Sequence, residues 1–467
     1  MKTLWTSSEI AEATGGTASA PFDATGVAFD SREIGPGDLF IAMKGEATDG
    51  HLFLDKAYGA GAAGAIVSQQ VDRPHVRVED TTQALNDLGR ASRARSAARI
   101  CGVTGSVGKT GTKEALYAAL DRSLPGKAHR SVKSYNNHTG VPLSLARMPR
   151  DARFGVFEMG MNHAGELAAL TRLVRPHVAI VTAIAPAHRE FFASEEEIAD
   201  AKGEIFQGLE PGGTAIVPFD SPHRDRLIAA ARPHAATILT FGRGEGADIR
   251  ARDVARMDSG GTMLTAVLPE AELTFTIAQP GEHWVSNFLA VLGAVEALGG
   301  DLAATGLAAA DMPGLKGRGE RHRIPVDGGE ALLIDESYNA NPASMRATLN
   351  SLAQEKRAGR RIAVLGSMRE LGAGSDDFHA ALAEPIEAAC VDYAILVGEE
   401  MKPLAKALGQ KVNMTHVPDA AAALAPLRDA IRPGDAILVK GSNSIGLAAV
   451  VEALASASAT SLGTGKD

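Results

Sequence analysis

Between residues 100 and 112 the chain reads Ile-Cys-Gly-Val-Thr-Gly-Ser-Val-Gly-Lys-Thr-Gly-Thr. An apolar strand pattern runs into Gly105 and Gly108, and a helix is expected from about Lys109. A turn of this kind aims backbone N–H groups and a helix N-terminus at one point, which attracts phosphate. Lys109 can then reach the β and γ oxygens of a nucleoside triphosphate, and the Thr110 hydroxyl can bind Mg²⁺. The strict G-x-x-x-x-G-K-[ST] spacing is broken, because Val103 stands where its first glycine belongs. The plainer reading is a Gly-rich turn with an exposed lysine. The strand before it and the helix after it favour ATP binding.

Two further strand ends bring chemistry toward the same edge. Phe154–Gly160 places Glu158 at the end of an apolar run, where open α/β sheets bind ligands. Val178–Ile184 leads through Ala-Pro-Ala to His188. A carboxylate and an imidazole beside a phosphate loop suit Mg²⁺, which keeps several waters and takes few protein ligands. Taken singly, Glu158 reads equally well as a surface carboxylate and His188 as an ordinary loop histidine. Lys202, on a predicted helix, reads locally as a solvated lysine.

These groups need sheets to hold them, and the chain supplies the pattern. Short β-like runs alternate with Ala-rich helical stretches, as in α/β layers. Strands are expected at Asp38–Met43, Ala63–Ser68, Arg99–Val103, Phe154–Gly160, Val178–Ile184 and Thr214–Phe219, with helices at Leu52–Ala60, Ala84–Ala97 and Val285–Leu298. The runs Met-Leu-Thr-Ala-Val-Leu and Leu-Thr-Phe-Thr-Ile-Ala read as a more antiparallel part, and four later runs, the last at Ala436–Ser442, as a second parallel sheet. Ala310–Arg323, rich in Gly and charge, reads as a linker, and the tail after Ser456 as frayed. At 467 residues, two to three domains are expected from the soft prior of about 150 residues each.

Composition bounds the rest. A net charge of −9 argues against general nucleic-acid binding, and two cysteines, Cys101 and Cys390, make neither a disulfide framework nor a metal cage. No run approaches the roughly 18 apolar residues of a membrane span, and the N-terminus lacks a signal-peptide core, so a cytoplasmic protein is expected.

The ordered set of motifs resembles the Mur ligase family from end to end. It runs from Phe29-Asp-Ser-Arg32, Pro36–Ala42 and Lys44–His51 through Thr104–Thr110, Tyr135–Pro142, Phe157–Met161 and Ala201–Phe206. It closes with Asp335–Met345, Val364–Gly372 and Val439–Ser442. Ser337-Tyr-Asn-Ala-Asn-Pro342 and the Leu365–Gly372 stretch mark the dipeptide-adding branch of that family.

The resemblance implies three α/β domains. Residues 1–98 would bind a UDP-sugar, 99–313 would form a central, mostly parallel P-loop-type ATPase domain, and 314–467 a Rossmann-like ligase domain. It implies an ADP-forming ligase of peptidoglycan synthesis that uses ATP and Mg²⁺ to join UDP-N-acetylmuramoyl-tripeptide to D-alanyl-D-alanine, acting as a monomer. Gly105, Ser106, Val107, Gly108, Lys109, Thr110 and Gly111 would hold the phosphates. Thr110, Glu158 and His188 would bind the metal. Lys202 matches a lysine that some members carry as a carbamate. Asn287, Arg318, Asp335 and Asn339 would contact the nucleotide, with Asn341 in the closing loop. Asp30, Ser31, Arg32, Thr48, Asp49 and His51 would grip the UDP-sugar, with Asn136 and Asn137 along its path.

Three motifs depart from the family pattern: Trp284 follows the His of G-x-H where Asn is usual, His138 and Thr139 replace Glu and Ile, and Asn443 stands in place of arginine. A sister ligase adding one amino acid, a folylpolyglutamate synthase and a P-loop ATPase or regulator remain the alternatives, with a noncatalytic scaffold disfavoured by the intact Lys109, Thr110, Glu158 and His188.

Overall fold

A computed structural model describes residues 2–45, 48–185, 190–257, 261–355 and 359–461 of the chain, with side chains to residue 456. Its strands form three larger sheets and one small pair, Trp5–Thr6 with Asp23–Ala24. The first sheet holds Gly26–Ala28, Asp38–Ile41, Gly64–Val67 and His75–Arg77 in parallel, with Thr17–Ala18 antiparallel on one edge.

The second sheet has nine strands, and its parallel part carries the phosphate loop. Arg99–Thr104 lies between Phe154–Glu158 and Val178–Val181. Ile100 faces one apolar layer with Leu167, Leu170 and Ile198, while Cys101 and Val103 face the other with Leu116, Leu120 and Phe288. Covered on both faces, the strand reads as an unbroken apolar run rather than an alternating one. Beyond Thr214–Pro218 and Thr237–Gly242 the sheet turns antiparallel, through Ile249–Arg256, Thr262–Val267 and Glu272–Ile277.

The third sheet runs in the order Glu320–Val326, Gly329–Glu336, Ala436–Lys440, Arg361–Gly366, Tyr393–Val397 and Asn413–Val417. Its first pair is antiparallel and the others are parallel. The expected linker is therefore shorter than its composition suggests. The helix Leu302–Asp311 runs into it, and Glu320–Arg323 already pairs with residues 332–335. Charge there belongs to an edge strand with one wet face, since Arg321 and Arg323 are exposed while Ile324 is buried. The tail differs as well: backbone helix continues from Ala448 to Ser461, consistent with the high helix propensity of alanine. Among the described residues no helix is long and apolar enough to cross a membrane.

Candidate active site

The carboxyl ends of Arg99–Thr104, Phe154–Glu158 and Val178–Val181 meet at one crevice. The phosphate loop is pinned to the third of these. Ser106 N–H donates to the Ala183 carbonyl at 2.7 Å, and the Thr182 hydroxyl donates to the Val107 carbonyl at 2.5 Å. Gly105 and Gly108 take φ of +146° and +90°. A Cβ on Gly105 would lie 2.0 Å from Thr182 Oγ1, and one on Gly108 would lie 2.8 Å from Asn287 Oδ1. Both positions therefore require glycine, for conformation and for space. The helix Lys109–Ser123 starts from Gly108 with no side-chain cap, leaving its first N–H groups directed at the crevice.

Glu158 is 1% exposed at its strand end and is held from both sides. The Thr110 hydroxyl donates to Oε2 at 2.9 Å, and Asn136 Nδ2 donates to Oε1 at 2.8 Å. Lys113 Nζ stands 3.8 Å from Oε2. Lys109 Nζ donates to the Gly105 carbonyl at 2.6 Å, and burial lowers its pKa from the ordinary lysine value, against the raising influence of Glu158. Thr110 and Glu158 thus present adjoining hard oxygen donors at the cavity wall, a set that fits Mg²⁺ with water and phosphate completing its shell. His188 lies outside the described residues.

A cavity of about 810 Å³ spreads from the phosphate loop to the third sheet. Of the residues singled out from sequence, it is lined by Ser106 to Gly111, Asn136, Glu158, Asn287, Arg318, Asn339 and Asn341. Arg318 lies over the Tyr338 ring at 4.3 Å. Asn341 caps the helix Pro342–Ala353, its side chain accepting from Ser344 N–H at 2.9 Å.

Other expected residues do not line the cavity. Asp335 is buried with its carboxylate engaged, accepting from Gly317 N–H at 2.9 Å and from the Ser337 hydroxyl at 2.6 Å. Asn137 Oδ1 accepts from Gly140 N–H at 2.9 Å and so steadies the start of the next helix. Arg32 and Asp30 pair at 2.6 Å, which holds the Asp30 carboxyl down at about 2, and Ser31 between them is buried. His51 Nε2 accepts from Ser68 N–H at 3.0 Å, which assigns the Nδ1 proton to the 2.6 Å bond with Asp49; Thr48 is exposed. The Asp30–Arg32 turn is linked toward the crevice by the neighbouring Glu33. Its carboxylate pairs with Lys133 and accepts from the Tyr135 hydroxyl at 2.8 Å, on the segment that carries Asn136.

Lys202 is fully buried on the helix Glu195–Gly203, and among the described residues its Nζ has no hydrogen-bond partner. Burial, and then the Lys109 charge, push its pKa well below the ordinary lysine value. The shift favours the unprotonated amine, the form that can take up CO₂.

Lys440 lines the cavity and was given no role from the sequence. Lys440 ends the strand Ala436–Lys440 as Glu158 ends its own, and it donates to the Asn339 carbonyl at 2.9 Å. Its strand-end position was the available signal. Trp284 is 4% exposed and lies against Gly111, where a Cβ would meet the indole at 3.2 Å. This departure from the family pattern therefore fills space beside the phosphate-loop helix.

Residues 23–93 match the model described as Mur ligase family, catalytic domain, residues 103–295 the Mur ligase middle domain, and residues 317–443 the Mur ligase, glutamate ligase domain. A UDP-N-acetylmuramoyl-tripeptide–D-alanyl-D-alanine ligase of Escherichia coli (strain K12) is 35% identical over 434 residues, covering 92% of this chain and 93% of the relative. The chain belongs to the Mur ligase family. A crystal structure of MurF from Acinetobacter baumannii superposes on this Mur ligase with a TM-score of 0.84 at 30% identity, covering 97% of this chain and 99% of that one. The MurF ligase of Thermotoga maritima, solved in complex with ADP, gives 0.76 at 26% identity, covering 93% and 98%.

Proposed function

We infer that this Mur ligase joins D-alanyl-D-alanine to UDP-N-acetylmuramoyl-tripeptide, consuming ATP and passing through an acyl phosphate, to form the pentapeptide precursor of peptidoglycan. The observation that carries the reading is the phosphate loop with Glu158 at its side, in a chain that matches ligases of that printed activity over nearly its full length. ATP use is supported by the family and by the ADP held in the Thermotoga maritima relative. We divide the chain at residues 98 and 313, take it to act as a monomer in the cytoplasm, and assign the UDP-sugar to the Asp30–Arg32 and Thr48–His51 groups.

A free carboxylate resists attack by an amine, because oxide would have to leave. Phosphorylating it makes phosphate the leaving group. Phosphoryl transfer asks for charge neutralisation and alignment more than for acid–base work. Lys109 sits where it can neutralise the transferring group, and the first-turn N–H groups after Gly108 hold the phosphates. Thr110 and Glu158, with His188, would hold Mg²⁺, which when bound spreads the charge of the β and γ phosphates. Asn287, Arg318 and Asn339 face the nucleotide, Asp335 fixes the Gly317 turn beside Arg318, and Asn341 anchors the closing loop. Keeping water from the acyl phosphate falls to the third sheet, hinged at residues 312–319. Omitting each substrate in turn tests the reading. ADP should appear only with ATP, the UDP-tripeptide and the dipeptide all present. Turnover with a single amino acid and a shorter precursor would move the protein to a sister branch, and ADP release without acceptors would leave an ATPase.

Lys202 is proposed to carry a carbamate, supported by its buried, unpartnered amine. With ¹³C-bicarbonate, a carbamate carbon signal should appear and be lost in Lys202→Met. In CO₂-free buffer the sign of the pH effect is fixed by the lowered folded pKa. The unfolded chain then holds the extra proton, so stability rises as pH climbs from the folded value toward about 10.4. Lys202→Met should flatten that rise and be at least as stable as the parent at pH 7, as urea midpoints at pH 7 and 9 would show.

A further inference from the structure

Lys113 follows Lys109 by one helical turn, and its side chain is fully buried. Burying an ammonium is costly unless every proton finds an acceptor. Here its Nζ donates to the Ser131 carbonyl at 3.0 Å and the Lys133 carbonyl at 2.7 Å, and pairs with Glu114 Oε1 at 3.0 Å. The two carbonyls bracket a short stretch of irregular chain in which Lys133 adopts a left-handed φ of +54°, unusual for a residue with a side chain. That stretch serves both ends of the site. Toward the crevice, the Ser131 hydroxyl accepts from Glu158 N–H at 3.2 Å, and Asn136 donates to the Glu158 carboxylate. Toward the first sheet, Lys133 and Tyr135 both engage Glu33, next to the Asp30–Arg32 pair.

We propose that Lys113 is a positioning residue of the ligase reaction, its ammonium clamping the Ser131–Asn136 segment to the phosphate-loop helix so that Glu158 and the turn at Glu33 are held in one register. The proposal rests on the ligase reading above. An apolar side chain could fill the same space between helix and sheet. What it could not do is bind the Ser131 and Lys133 carbonyls, on either side of Val132, while standing 3.8 Å from the Glu158 carboxylate. Lys113 is fully buried behind the cavity wall, so its influence passes through Glu158 and through the 131–136 segment.

The test is steady-state kinetics on Lys113→Met and Lys113→Ala, with the folded fraction of each taken from thermal unfolding. Loss of charge-assisted hydrogen bonds should lower kcat per folded molecule about 30-fold or more and raise KM for the UDP-muramyl substrate about 10-fold, with KM for ATP moving less than about threefold. Ethylammonium ion added to Lys113→Ala should recover part of kcat, and a neutral alcohol of equal size should not. A fall in activity that only tracks the folded fraction, with both KM values unmoved, would overturn the proposal. So would equal recovery by the alcohol. Should Lys113→Met fail to fold, the amine-against-alcohol comparison on Lys113→Ala decides alone. Absence of ligase turnover in the parent enzyme would instead strike the functional reading.

Discussion

Lys109→Met should reduce ADP formation by about 10³-fold or more, the scale on which a cation aimed at a transferring phosphoryl group acts. It should do so without loosening the fold. Among the described residues the Lys109 ammonium donates to the Gly105 carbonyl alone, and burial already depresses its pKa. A lysine whose folded pKa is lowered costs the native state some stability at pH values below its unfolded pKa, because the unfolded chain binds the proton more readily. Methionine fills similar space without that cost. Calorimetry at pH 7 should therefore find a melting temperature equal to or above that of the parent, beside near-complete loss of turnover. A destabilised variant would mean that Lys109 holds the loop together rather than serving the phosphate.

Glu158→Gln should behave in the opposite way on stability. Its activity should fall about 10²-fold to 10³-fold, since a neutral amide is a poor hard-cation ligand. It should also lose about 1–3 kcal/mol of stability, because a buried hydrogen-bonded network loses its charge. The carboxylate accepts from Thr110 and Asn136, and it is the anion standing 3.8 Å from buried Lys113. An amide can keep one of those acceptor positions but turns an N–H₂ group toward the other donor. Urea unfolding and ADP release measured on one preparation check both effects. A variant as stable as the parent would show that the Lys113–Glu158 proximity carries no energy. Lys109 and Glu158 sit side by side in the site, yet one serves function at the expense of stability and the other serves both.

Much of this was legible because the strands around the phosphate loop are buried on both faces. Arg99–Thr104 and Val178–Val181 appear as apolar runs with no competing pattern, and their ends mark the crevice. Glycine at 105 and 108 signalled the turn for the same reason that the structure demands it there. Element starts were harder to place. The helix expected from Ala84 begins at Thr81, and the missed signal was Asp80, whose carboxylate caps Thr82 and Gln83. Charge misled at Glu320–Arg323, where alternation along an edge strand looked like a linker. Tertiary partners explain what stayed hidden. Nothing local distinguishes Lys113 from a solvated helix lysine, because its acceptors, Ser131 and Lys133, come from a different segment. Lys202 read the same way and proved fully buried. The engagement of Asp335 with Gly317 likewise depends on a turn whose path only the folded chain defines.

The central claim is that the peptide carboxylate is phosphorylated before the amine attacks. It can be tested by following the oxygen. UDP-N-acetylmuramoyl-tripeptide labelled with ¹⁸O in its reacting carboxylate would be turned over with unlabelled ATP and D-alanyl-D-alanine, and the released phosphate examined by ³¹P NMR. An acyl phosphate carries one carboxylate oxygen away with the phosphoryl group, so the account predicts one ¹⁸O in the phosphate for every peptide bond formed. Phosphate free of label, in a reaction that still yields the pentapeptide, would contradict it.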